Sequence, residues 1–192
     1  LEFYTDFANP ASDFYTWNES LPNSIDSFSD ETTAMIFNYA HQIPIIKGKN
    51  PFLQFGITPL PQPASAVKEV NYANYWGVAV SNKFPKPDLA WELILGLTTN
   101  TDAVRKYSQN TKRLPALRSL LAEKLNAPEL GVFARQALSA RSWAQVDNVA
   151  IQEIFSQMIV ETVSGRPASE ALQKAEAAVN ELMTRWWNEF GL

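Results

Sequence analysis

At 192 residues the chain has room for one large domain or two small lobes. Folding at this size buries roughly 70% of the surface an unfolded chain exposes, enough for a core without disulfide or metal staples. With 46% hydrophobic and 19% charged residues the composition is that of an ordinary globular protein and excludes intrinsic disorder. A net charge of -4 excludes the broad basic footprint of a nucleic-acid or anionic-membrane binder. The absence of Cys removes thiol nucleophiles, iron–sulfur centres and thiolate zinc sites, and a single His, His41, removes most imidazole metal and triad chemistry.

Taken in chain order, "LEFYTDFANP" reads as the end of an amphipathic element, and a start on Leu1 in place of Met is expected to be a cut. A polar, aromatic-rich loop follows through about Ser29, although Ile25 and Phe28 already sit at helical spacing. Three β-capable runs come next: "TAMIFNY", "LQFGI" (Phe55, Ile57), stopped by Pro59 and Pro61, and "GVAV" (Val78, Val80). The stretch between Gln62 and Asn71 reads as a polar loop.

From Pro87 the pattern turns helical. "PDLAWELILGLTT" places Leu89, Leu93, Ile94 and Leu97 on one face, with Trp91 beside them as a core residue. Thr101 is the expected N-cap of the next helix, and Pro115 and Pro128 are expected in the first turns of the two after it. The last two helices are the most regular. Ile151, Ile154, Phe155, Met158, Ile159 and Thr162 form one stripe, closed by Gly165 as a left-handed cap. Leu172, Ala175, Val179, Leu182, Met183 and Trp186 form the other. Strand patterns early and helices late imply an α/β fold with a helix-rich second half.

Chemistry is sparse. No phosphate-cradling glycine loop or G-x-S-x-G elbow occurs, and no cofactor or metal signature is present. Asp147 and Glu153, with Glu161, offer carboxylates that a glycoside-acting enzyme would want as a pair. Their positions favour another use: Asp147 begins a helix and is expected to cap it, while Glu153 and Glu161 lie off the apolar stripe as solvated charge. A noncatalytic helical interaction domain is the remaining alternative. The aromatic content, 12%, is the unusual feature. Tyr15, Trp17, Tyr39, Tyr72, Tyr75, Trp76 and Trp143 lie off the helical stripes beside Asn, Gln, Ser, Arg or Asp. Such faces suit a polyhydroxylated ligand, whose ring offers C–H groups to stack and hydroxyls to bond.

The ordered series "SFSDETTAMIFNYAHQI", "FGITPLPQP", "YWGVAVSNKFPKPDLAWELILGLTT", "RLPALRSL" and "VSGRPASEALQKAEAAVNELM" resembles the extracellular solute-binding proteins of ABC transporters, family 1, the carbohydrate class that includes maltose-binding protein. The chain departs from that pattern where Asp30 or Glu31 replaces the usual Gly after Phe28, and where Trp76 precedes Gly77 in place of a double Gly. The resemblance implies a two-lobed, periplasmic-binding-protein-like fold of type II, of which this chain is the C-terminal portion. It divides the chain into a second-lobe segment (1–57), a lobe-crossing segment (58–113) and a helical return to the second lobe (114–192). It implies a nonenzymatic protein, monomeric when full length, periplasmic or extracellular and lipid-anchored through its upstream part. Its partners would be a small solute of the carbohydrate class and the permease subunits of an ABC importer, with no nucleic acid. Ligand-facing positions carried over from it are Asn38, Tyr39 and His41 after the first strand; Tyr75, Trp76 and Gly77 at the crossing strand; Arg113; and Trp143, Asp147, Asn148 and Gln152 around the start of the long helix.

Overall fold

A computed structural model describes residues 1–190. Its helices are α1 (Glu2–Asp6), α2 (Ser24–Ser29), α3 (Ile43–Lys49), α4 (Pro87–Thr99), α5 (Thr101–Thr111), α6 (Arg118–Ala122), α7 (Gly131–Ser139), α8 (Asn148–Val163) and α9 (Ala168–Phe190), with one 3₁₀ turn at Ala40–Gln42. The chain divides into two compact units, one made of Leu1–Pro22 with Trp143–Leu192 and the other of Asn23–Ser142.

The first unit is built on the α8–α9 hairpin. Asp147 caps α8 by accepting the Val149 and Ala150 N–H groups, each at 3.0 Å, and Gly165, at φ 102°, reverses the chain after Ser164. The capping role expected of Asp147 and the left-handed turn expected of Gly165 are both present. Along the seam, Met158 of α8 packs on Ala171 and Ala175 of α9, with Ile154, Ile159 and Leu1 closing around them. Small residues on α9 let the helix axes approach, so the seam runs through Ala168, Ala171 and Ala175. Leu172, expected in that stripe, is instead 45% exposed. Glu161 corrects a second expectation. Its side chain is only 12% exposed and takes Lys174 and Arg166 as ion-pair partners, the latter at 3.0 Å, with Gln157 Nε2 donating at 2.9 Å. Donation from Lys174 and Gln157 holds the carboxyl below its ordinary range, with Arg166 adding to the effect. It is a tie between helices, not a freely solvated charge.

The second unit centres on Ala40, Ile43 and Leu130, with Phe55, Ile57, Leu114 and Phe133 packed around them. Asn23 caps α2 through a 2.9 Å bond from Ile25 N–H, and α2 then lies against α3, tied by the Lys49–Asp26 pair at 2.7 Å and by Asn50 Nδ2 donating to the Ser29 carbonyl at 2.9 Å. Helix α3, "IPIIKGK", is not among the elements expected from the sequence.

The three expected strands are extended segments without ladders: no strand is assigned among the described residues. In the second of them, Leu53, Phe55 and Ile57 are half-buried while Gln54, Gly56 and Thr58 are exposed, so the period of two is real. Alternation says which side meets the core; a ladder also needs a second strand to accept its N–H groups, and no described segment takes that place. Around the other two runs, Met35, Phe37, Trp76 and Val78 stand exposed.

The helix boundaries shift in small, explicable ways. Asn100, not Thr101, caps α5, its side chain accepting from Ala103 N–H at 3.0 Å. Pro115, itself buried, lies in the loop before α6 and Pro128 in the turn before α7, so neither is a first-turn proline. The stripe of α4 is present in sequence but covers nothing: no residue of this helix is buried, and Trp91 is about half exposed, not part of a core.

Candidate functional site

Within the second unit the sequence-predicted residues Asn38, Tyr39 and His41 fall at one corner. Tyr39 is extended and immediately precedes the 3₁₀ turn, while Ala40 and Ile43 are buried and anchor that turn in the core. Anchoring the alternate positions leaves Tyr39 and His41 side by side, their rings 5.7 Å apart and only 13° from parallel. The Asn38 side chain accepts from the Tyr39 N–H at 2.9 Å and holds the approach to the turn. Partial burial raises the Tyr39 phenol above its ordinary pKa, and the phenol of Tyr72 adds to the shift. Tyr39 therefore stays a neutral hydroxyl, able to donate and accept, throughout the physiological range.

Gln42, absent from the sequence-based set, completes this corner. Its Nε2 lies 3.3 Å from His41 Nε2. The amide and the imidazole are in hydrogen-bond contact, with donor and acceptor set by the imidazole tautomer. At the other end, Gln42 Oε1 is buried and finds no donor among the described residues. A buried carbonyl without a partner costs free energy that an incoming hydroxyl or N–H would recover. Nothing local in the sequence marks Gln42; its role arises because α3 draws it inward.

The remaining positions are arranged differently. Tyr75, Trp76 and Gly77 lie on the exposed segment after Tyr72, with Trp76 84% exposed. No ring contact or side-chain hydrogen bond joins Tyr75 or Trp76 to another described residue. Arg113 is exposed just beyond the left-handed Lys112 that ends α5.

In the first unit, Trp143 meets Phe155 edge-on, with ring centres 6.4 Å apart. Asn148 opens α8 and Gln152, in its second turn, is exposed. Because Asp147 occupies the N–H groups of Val149 and Ala150, those two donors are not open to a ligand oxygen. The same bonds commit the Asp147 carboxylate to capping. Among the described residues no group of three or more His, Asp or Glu side chains gathers as a metal site would. Two shallow surface depressions lie on other residues: one on α9 beside Asn180, Thr184 and Arg185, the other on α4 beside Leu89, Leu93 and Leu97.

With these patches placed, comparison with known families is decisive. The family described as bacterial extracellular solute-binding protein matches residues 1–130, about two thirds of the chain. The chain belongs to that family. Its function is accordingly the binding of a solute for transport, outside the cytoplasm. No curated protein matches it. The matched span of this solute-binding protein runs from α1 through α6 to the turn before α7, and so contains the Tyr39–His41–Gln42 corner and the exposed aromatic segment; the α8–α9 hairpin lies outside it.

Proposed function

We propose that the solute is a sugar or oligosaccharide and that the protein delivers it to the permease subunits of an ABC importer. The observation that carries this reading is the Tyr39–His41 stack beside the unpartnered Gln42 carbonyl. Aromatic planes accept the C–H face of a pyranose, while the Tyr39 hydroxyl, the imidazole and the Gln42 carbonyl offer both signs of hydrogen bond to its hydroxyl rim. Asn38, Tyr39 and His41 are the primary contacts in this proposal, with Tyr75, Trp76 and Gly77 extending the wall and Arg113 a peripheral polar group. Trp143, Asn148 and Gln152 form a separate patch in which Trp143 stacks and Gln152 bonds; Asp147 acts there by fixing the start of α8.

In the same reading the chain is the C-terminal portion of a two-lobed protein, and an upstream lobe covers the apolar surface of α4 and of the extended segments. Met35, Phe37, Trp76 and Val78, all exposed, support this, since a monomer seldom leaves so many large apolar groups in water. Closure of the lobes on the solute requires that the solute favour the closed state, and that closed state is what the permease recognises. The protein is periplasmic or extracellular, anchored by a lipid on its upstream part, and monomeric.

Tryptophan fluorescence of the full-length protein titrated with mono- and oligosaccharides tests the solute class. Saturable change with a saccharide is expected. Response only to a peptide or an inorganic anion would overturn it.

A further inference from the structure

The net charge of -4 conceals two opposite balances. The unit of Asn23–Ser142 holds 13 Lys and Arg against nine Asp and Glu, a net +4, whereas the other unit holds three against 11, a net -8. The Tyr39–His41 corner belongs to the positive unit. Within that unit the excess is concentrated: residues 103–122 carry Arg105, Lys106, Lys112, Arg113 and Arg118 and no acid. The acids at either end of this stretch, Asp102 and Glu123, are both taken by Arg105, at 3.4 and 2.7 Å. Lys106, Lys112, Arg113 and Arg118 are left without an ion-pair partner among the described residues.

Of these four, Arg113 is the one that the packing brings to the aromatic corner. Lys112 ends α5 in the left-handed region at φ 56°, with its N–H donating to the Ser108 carbonyl at 3.0 Å. The Arg113 N–H donates to Thr111 Oγ1 at 3.3 Å, and that hydroxyl donates in turn to the Tyr107 carbonyl at 2.8 Å. The two residues that follow turn inward: Leu114 packs on the cluster of Ala40, Ile43 and Leu130, and Pro115 is buried. Ala40 is the residue between Tyr39 and His41, so Arg113 and the stacked rings border one buried cluster from two segments of the chain. The Arg113 backbone is thus held on both sides, while its exposed guanidinium makes no hydrogen bond or ion pair with any described residue. Glu129, next to Leu130 of the same cluster, is paired with Lys47 and does not neutralise it.

We propose that Arg113 is the charge anchor of the solute site and that the solute is an acidic saccharide, one that carries a carboxylate as a uronic acid does. A tethered, unpaired guanidinium offers a carboxylate two parallel N–H groups in a fixed fork. The Tyr39–His41 stack takes the ring face, and Lys106, Lys112 and Arg118 add a positive field that concentrates an anionic solute near the corner. A neutral sugar gains nothing from either. The proposal rests on the saccharide reading for the ring that bears the acid; recognition of the negative charge follows from the charge distribution and from Arg113 alone.

The test is calorimetry and stopped-flow binding on the full-length protein with gluco-, galacto- and mannuronate oligosaccharides, their neutral counterparts, and succinate as a carboxylate without a sugar. At least one uronate is expected to bind about tenfold or more tighter than its neutral counterpart. Arg113→Gln should abolish that difference while leaving the affinity for the neutral sugar and the thermal unfolding midpoint unchanged. Arg113→Lys keeps the charge without the fork and should restore only part of it. Raising the ionic strength from low to physiological should slow association of the uronate several-fold and leave the neutral sugar unaffected. Neutral sugars bound as tightly as their uronates, or a uronate bound equally by the native protein and Arg113→Gln, would overturn the proposal and leave the saccharide reading standing. Succinate bound in an Arg113-dependent way by a protein that binds no saccharide would uphold the anchor and reject the saccharide reading. Binding of neither saccharide nor carboxylate would overturn both.

Discussion

Helices α4 and α8 carry apolar stripes of similar regularity, yet they end in opposite environments. On α8, Ile151 and Met158 are buried, and the hairpin partner α9 presents Ala171 and Ala175 to Met158. On α4 none of the 13 residues is buried, and Leu93 is 63% exposed. The difference teaches that periodicity fixes which face of a helix avoids water, while the covering partner depends on residues far along the chain or beyond it. On the two-lobed reading proposed above, the protein needs surfaces of both kinds: seams that never open, and apolar faces kept for another lobe.

The contrast is broken most strongly at the seam. Met158→Ala removes a buried side chain from contact with alanines that leave little to collapse into the gap, and about 2–5 kcal/mol of stability should disappear in urea denaturation. Ala171→Leu tests the same seam from the other side. Ala171 is 1% exposed, so a larger side chain has to push the helices apart, at a cost of about 1–3 kcal/mol by the same measurement. Asp147→Ala leaves the seam intact but strips two N–H groups of their acceptor, and about 1 kcal/mol is expected, with Asp147→Ser recovering most of it.

Much of the α8–α9 hairpin is legible from sequence because its signals are local. The Asp147 cap, the Gly165 turn and the Met158 stripe each lie within a few residues of what they determine. Leu172 misleads because hydrophobicity alone ranks it above Ala171, whereas close helix approach selects the smaller residue. The segments around Met35 and Val78 are legible as extended and apolar, but pairing is a property of two segments and cannot be read from one. Of the candidate site, Tyr39 is visible as an off-stripe aromatic and His41 only through the family resemblance; Gln42 is visible through neither, because an amide looks the same in sequence whether it is solvated or drawn inward by the turn it ends.

Smaller effects sharpen the comparison. Since its partners depress the Glu161 pKa, the stabilisation it provides is fully present above the ordinary glutamate value, roughly pH 4.3, and is lost as pH falls through its lower folded value. Thermal unfolding between pH 6 and pH 3 should therefore show a steeper loss for the native protein than for Glu161→Gln. The smallest effect belongs to α4: Leu93→Ala should change the stability of the 192-residue chain by no more than about 0.5 kcal/mol. The proposed upstream lobe predicts that the same substitution in the full-length protein costs distinctly more; equal costs in the two would remove that role.

Calorimetric titration of the full-length protein with a saccharide panel, native against Tyr39→Ala, bears most directly on the proposed function. The account predicts saturable binding of at least one saccharide, weakened about tenfold or more by the loss of the aromatic plane, a change of roughly 1.4 kcal/mol. A saccharide bound equally well by both proteins, or a native protein that binds peptides or anions and no saccharide, would contradict it.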